Sequence, residues 1–261
     1  MKQAKETLKK ALLEGGEVMK RAFYKPKTVR YKGIANLVTK TDKLAEERII
    51  RIIKKNFPDH AILAEESQEA KGRAPYKWII DPIDGTTNFA HGLPLAAVSI
   101  GFEDHGEITM GGVYNPLMNE LFWAEKKKGA FLNGKRIHVS NTRKLKASLL
   151  VTGFPYDKSL GIKYYMNIAG AFLRKSHGFR RLGSASLDLC YLACGRFDGY
   201  WEKNLMAWDQ AAGYLIAKEA GGACTNFRGE PFDVYQKEKT CSKRRLEDQS
   251  EDTRETFSQS L

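Results

Sequence analysis

Apolar side chains recur at helical spacing near the start of the chain: Ala4, Leu8, Ala11, Leu12, Met19 and Phe23 share one face of residues 3–23. Gly15-Gly16 interrupts that face and leaves room for a close neighbour. Residues 29–39 read as extended, with a turn at Lys32-Gly33. Leu44, Ala45, Ile49, Ile52 and Ile53 predict a second helix, from Thr41-Asp42 to Phe57, stopped by Pro58-Asp59. The period then changes. Ala61-Ile62-Leu63-Ala64 and Trp78-Ile79-Ile80 are short apolar runs of the kind that form buried strands. Further strands are expected over 96–102, 108–114, 120–124 and 129–132, with Asn133-Gly134 as a hairpin turn. Close strands without intervening helices predict an antiparallel sheet. A second half follows: a strand from 149, helices over 164–173 and 186–194, a strand over 197–202, and a helix from Trp208 to Ala220 capped by Gly221-Gly222.

Composition supports a core. The chain has 261 residues and is 42% hydrophobic, enough for one large domain or two small ones. A modest boundary falls near 140–148, where polar Asn141-Thr142-Arg143 joins the halves, which are not expected to fold independently. No apolar run approaches the ~20 residues of a membrane helix, and no signal-type segment follows Met1, so a soluble, cytoplasmic protein is expected. Cys190, Cys194, Cys224 and Cys241 are too few and scattered for a disulfide framework and read as thiols. The net charge is +12, and residues 1–60 carry 9 of it. That excess could attract an anionic substrate or nucleic acid, but a solvated lysine-rich helix surface explains it more simply. Nucleic-acid binding is therefore not favoured, and no nucleic-acid signature accompanies the charge.

The chemistry concentrates in one stretch, Trp78-Ile79-Ile80-Asp81-Pro82-Ile83-Asp84-Gly85-Thr86-Thr87-Asn88-Phe89. An apolar strand ends in two aspartates, and Gly-Thr-Thr-Asn opens a short helix. A bare D-x-x-D-G is more often a turn than a metal site. The longer string resembles, residue for residue, the DPIDGTTNF signature of the inositol monophosphatase family, Mg-dependent and lithium-sensitive phosphatases. Trp208-Asp209-Gln210-Ala211-Ala212-Gly213, running on to Glu219-Ala220-Gly221-Gly222, resembles the family's second signature. Val38-Thr39-Lys40-Thr41-Asp42, Glu65-Glu66-Ser67 and Arg180-Arg181-Leu182-Gly183-Ser184-Ala185 match shorter elements, although Ala64 stands where the family has glycine.

The resemblance is to the bacterial and archaeal type of inositol-1-monophosphatase. It implies an α+β or α/β fold, a layered αβαβα sandwich of the sugar-phosphatase type, over residues 1–236. Glu65, Asp81 and the Ile83 carbonyl would hold one Mg²⁺; Asp81, Asp84 and Asp209 a second; and a third ion would sit near Glu65. Thr86 and Glu65 would orient the attacking water, with Asp42 a hydrogen-bond partner of Thr86. Read without the resemblance, Asp42 is an N-cap. Asp84, Gly85, Thr86, Gly183, Ser184, Ala185, Glu202 and Asp209 would line the substrate site, with Glu202 on the hydroxyls of a phosphorylated polyol. A homodimer is implied. Myo-inositol 1-phosphate is the expected substrate. Fructose 1,6-bisphosphate, another sugar or nucleotide phosphate, or a transcription-complex role beside weak phosphatase activity are the alternatives.

The resemblance ends near residue 236. Residues 237–261 are polar and carry few large apolar groups, so a disordered tail is expected, with one strand of the sheet missing.

Overall fold

The computed structural model describes residues 1–25, 29–31, 37–67, 74–155, 162–235 and 238–242. Helix α1 (Lys2–Phe23) leads to a small antiparallel pair, β1 (Val29–Tyr31) and β2 (Leu37–Thr39), and then to α2 (Lys40–Asn56). Next come β3 (Ala61–Ala64), β4 (Tyr76–Asp84), α3 (Thr86–Ala90), β5 (Ala97–Asp104), β6 (Glu107–Asn115), β7 (Glu120–Glu125), β8 (Gly129–Leu132) and β9 (Lys135–Ile137). The second half runs β10 (Leu149–Thr152), α4 (Ile162–Lys175), β11 (Gly178–Arg180), α5 (Ala185–Ala193), β12 (Gly199–Lys203), α6 (Ala207–Glu219), β13 (Ala223–Thr225) and β14 (Glu238–Ser242). The turn expected at Lys32-Gly33 and most of the loop expected after Gln68 lie outside the described residues.

Strands β3 to β9 form one sheet in sequence order, antiparallel throughout except for the parallel pair β3–β4. Its two faces are covered differently. Leu8, Ala11 and Leu12 of α1 and Ile49, Ile52 and Ile53 of α2 bury against Trp78, Ile80, Ile100 and Phe102. These helices are amphipathic, so their polar sides stay in water. The other face takes α5 and α6, whose apolar residues point in several directions: Leu187, Leu189, Cys190 and Leu192 are all essentially inaccessible. A helix buried all round needs a second layer on its far side. That layer is the five-stranded sheet β11-β10-β12-β14-β13. Along it, Val151 and Tyr200 turn toward α5 and α6, while Leu150 and Trp201 turn outward to Ile168 and Phe172 of α4. The order is helix, sheet, helix, sheet, helix, the layered sandwich expected from the sequence.

Two glycines set the height of α6 above the large sheet. A Cβ on Gly111 would lie 2.9 Å from Ala212 Cα, and one on Gly101 would lie 2.9 Å from Ala211 Cβ. The helix therefore rests directly on the backbones of β5 and β6. Gly221, at φ +95°, follows the last turn of α6 and releases the chain, as the Gly-Gly pair suggested.

The tail departs from expectation. Glu238–Ser242 pairs antiparallel with both β12 and β13, so a strand occupies the place that was expected to stand empty. Backbone hydrogen bonds, available to any non-proline residue, admit a segment whose side chains carry no apolar signal. The rest of the tail lies outside the described residues.

Gly111→Ala should destabilise the protein by about 1–3 kcal/mol, since the methyl meets helix backbone rather than a movable side chain. Differential scanning calorimetry should show a melting temperature lower by roughly 2–10 °C.

Candidate active site

Strand pairing delivers the acids to one place. In the parallel β3–β4 pair Ala64 stands opposite Ile80, and Glu65 N–H donates to the Ile80 carbonyl at 3.2 Å. Glu65 thus leaves β3 level with Asp81 on β4. Asp81 and Asp84 are three residues apart, which in a regular strand would send them to opposite faces. The register with β5 shifts here: Asp81 pairs with Ser99, but Asp84 pairs with Ala97. One extra residue is inserted around Pro82-Ile83, a bulge that turns both carboxylates into the same cleft. Asp209 enters from the first turn of α6. Its Oδ2 accepts Met206 N–H at 2.7 Å, and Ser99 Oγ lies 3.5 Å from the adjoining Trp208 carbonyl.

Burial and neighbouring acids act on the aspartates. Burial, then Glu65, Asp84 and Asp209, push the Asp81 carboxyl well above the usual range. Burial and Asp84 do the same to Asp209. Asp84 is raised by burial, with the hydrogen bonds from Ser186 and Ser184 opposing. Each aspartate uses an oxygen to brace its surroundings: Asp81 Oδ1 accepts Ile83 N–H at 3.0 Å, and Asp84 Oδ2 accepts Ser184 Oγ–H and Ser186 N–H, both at 2.7 Å. Among the described residues, no three acid, histidine or cysteine groups are already drawn into a closed ligand set. The acids share a cleft and repel, which suits hard divalent cations with oxygen ligands.

Thr86, the first residue of α3, lies behind them. Its hydroxyl is 2.9 Å from Asp42 Oδ1 and 3.0 Å from the Ile83 carbonyl. Asp42 is thus the hydrogen-bond partner of Thr86 that the resemblance implies, but not the N-cap. Thr39 is the N-cap, and Asp42 is the third helical residue of a capping box, its Oδ2 accepting Thr39 N–H at 2.8 Å and Thr39 Oγ–H at 2.5 Å. The fully buried Asp42 carboxylate therefore joins the start of α2 to Thr86.

Gly85, at φ +92°, lies against the other half of the chain: a Cβ would meet the Leu95 carbonyl at 2.7 Å and the Gly183 carbonyl at 3.2 Å. Gly183 has positive φ as well, and Ser184 caps α5 without bonding its helix, because its hydroxyl is committed to Asp84. Ala185 begins α5 and is buried. Glu202 lies at the end of β12, buried, its Oε2 accepting Tyr200 O–H at 2.8 Å. Burial pushes its carboxyl up to about 7.

Three further residues belong to this structure. Asn88 Nδ2 donates to the Leu95 carbonyl at 2.8 Å and the Leu182 carbonyl at 2.7 Å, tying the first half to the second. Glu46 of α2 accepts Glu66 N–H at 2.8 Å and so anchors the turn that carries Glu65. Asp188 on α5 is 1% exposed, and neither of its oxygens has a hydrogen-bond partner among the described residues. Burial, Glu202 and Asp84 drive its carboxyl well above the usual range. Asn88 was visible as a signature letter, but its bonds were not. Glu46 and Asp188 sit in helical stretches whose pattern marks no function.

This cleft and fold agree with three comparisons. The inositol monophosphatase family matches residues 1–259, and the chain belongs to that family of phosphatases. It is 42% identical over 237 residues to a chloroplastic phosphatase, IMPL1, of Arabidopsis thaliana, covering 88% of this chain but 64% of that protein's length. It is 46% identical over 234 residues to an inositol-1-monophosphatase of Synechocystis, covering 88% of this chain and 80% of that one. It is 43% identical over 223 residues to Nus factor SuhB of Escherichia coli K12, covering 84% of each. Among solved structures, the extragenic suppressor protein suhB of Bartonella henselae superposes with a TM-score of 0.89 at 37% identity, covering 99% of this chain and 98% of that one. Among the described residues no helix is long and apolar enough to cross a membrane.

Asp42→Ala removes the acceptor for Thr39 and Thr86 together. The expected loss of stability is about 2–4 kcal/mol, read by urea denaturation. Asp42→Asn, which keeps one acceptor oxygen, should lose less.

Proposed function

We propose that the protein hydrolyses a small phosphate monoester with the help of Mg²⁺, and that myo-inositol 1-phosphate is its substrate. The observation that carries this reading is the meeting of Glu65, Asp81, Asp84 and Asp209 beside the Gly85-Thr86 turn, where burial raises the carboxyls of Asp81, Asp84 and Asp209 and neighbouring acids add to it at Asp81 and Asp209. Such a set favours cations over protons only when hard divalent ions are supplied. Two sites are proposed, with Asp81 shared: Glu65, Asp81 and the Ile83 carbonyl at one, and Asp81, Asp84 and Asp209 at the other. A third ion near Glu65 is allowed by the same reading. When bound, the cations supply Lewis acidity toward phosphate oxygens and acidify water at neutral pH.

The protein's own groups do the rest. The backbone N–H groups of Gly85 and Thr86 face the phosphate. The Thr86 hydroxyl, oriented by Asp42, and the Glu65 carboxylate align the attacking water. Ser184 and Ser186 hold Asp84 in place, and Gly183, Ser184 and Ala185 shape the wall beside it. Glu202 accepts hydrogen bonds from hydroxyls of the alcohol part, which favours a polyol over a simple alkyl or aryl group. A nucleic-acid role has less support. The basic surface of α1 and α2 has acids interleaved with it, with Arg21 paired to Glu17 and Arg48 to Glu14. The homodimer and lithium sensitivity of this reading rest on the family resemblance.

Phosphate release from myo-inositol 1-phosphate should require Mg²⁺, stop with EDTA and fall with lithium. Fructose 1,6-bisphosphate should be the poorer substrate; the opposite order would overturn the substrate assignment. Asp209→Asn should lower turnover by at least about 100-fold. The same variant, free of metal, should melt no lower than the parent, because it removes a buried like charge and keeps the acceptor for Met206 N–H.

A further inference from the structure

The parallel pair β10–β12 sets Thr152 opposite Trp201, so the next residues, Gly153 and Glu202, stand level with each other. A Cβ built on Gly153 would fall within the Glu202 carboxylate: its three nearest heavy atoms are Oε1, Cδ and Oε2 of that side chain. Gly153 is not among the residues of positive φ, so backbone conformation does not demand glycine there. Space does. The carboxylate lies across the bare backbone at the end of β10, with Tyr200 O–H holding one oxygen at 2.8 Å. Glu202 in turn raises the carboxyl of Asp188, a second buried acid, on α5.

We propose that Gly153 is a positioning residue that sets selectivity for hydroxyl-rich phosphate esters, by leaving the space in which Glu202 presents its carboxylate to the substrate. The proposal rests on the reading that Glu202 binds substrate hydroxyls. A side chain at 153 would turn the carboxylate away while leaving the strand intact, because the group it meets is the end of a flexible side chain. Position 153 thus decides how strongly this cleft distinguishes a polyol phosphate from one whose alcohol part carries no hydroxyls.

The test compares Gly153→Ala, Glu202→Ala and the double variant, with myo-inositol 1-phosphate and phenyl phosphate as substrates in Mg²⁺. Gly153→Ala should lower the ratio of kcat/KM between the two substrates by about tenfold, mainly through KM for the inositol ester. Glu202→Ala should lower it by a similar factor. The double variant should lose no more than either single one, since Gly153 acts only through Glu202. If Gly153→Ala also lowers the melting temperature, the double variant should regain it, because the obstructing carboxylate is gone. Loss of selectivity in Glu202→Ala but not in Gly153→Ala overturns this proposal alone. Losses that multiply in the double variant do the same. Unchanged selectivity in Glu202→Ala overturns the assignment of Glu202 to the polyol, and this proposal with it.

Discussion

Like charges buried together are the condition under which the rest of this structure has to be understood. Burial raises the carboxyls of Asp81, Asp84 and Asp209; Asp84 and Glu65 add to the effect on both Asp81 and Asp209, and Asp209 adds to it on Asp81. Left alone, such a group separates, takes up protons or draws in counter-ions. The fold resists separation by giving the acids local hydrogen bonds. Ile83 N–H holds Asp81, Ser184 and Ser186 hold Asp84, and Met206 N–H holds Asp209. These donors are neutral, so they orient the carboxylates without cancelling their charge. What remains is a preorganised demand for cations.

The same bonds knit the two halves of the chain. The Asp84–Ser184 bond spans 100 residues and the Asn88–Leu182 bond spans 94. Gly85 lies against Gly183 where neither could carry a side chain in its present conformation. Asp209 arrives on α6, whose height is set by Gly101 and Gly111 on the other half's sheet. Packing and site geometry are thus one problem: a shift of α6 by the thickness of a methyl group moves an acid of the cleft.

Much of this was legible in the chain itself. The apolar spacing of α1 and α2, the short apolar runs of β3 and β4 and the Gly-Gly stop after α6 each follow from local physics. Asp81, Asp84 and Asp209 were legible because they sit inside long signature strings, and Glu65 through a shorter one. Other features depend on contacts that no local pattern encodes. The bond between Asp42 and Thr86 was expected from the family string, but the place of Asp42 in its helix was not: Thr39 caps α2, and Asp42 closes the capping box from the third helical position. The bulge that brings Asp81 and Asp84 together depends on the partner strand. Gly153 carries no local signal, since its importance lies in the carboxylate 49 residues later. Strand β14 was missed because its pairing draws on main-chain groups, while its composition suggested solvent.

The place of β14 also bears on how the protein comes into being. It does not extend the small sheet from an edge but inserts between β12 and β13, both made earlier in synthesis. Until Glu238–Ser242 has left the ribosome, those two strands have no direct partner in each other, and the inner helices α5 and α6 have an incomplete cover. The large sheet, whose strands pair in sequence order, faces no such wait. Strand pairing during translation is therefore asymmetric: the large sheet's strands meet in the order they are made, while the small sheet waits for a strand that joins two earlier ones.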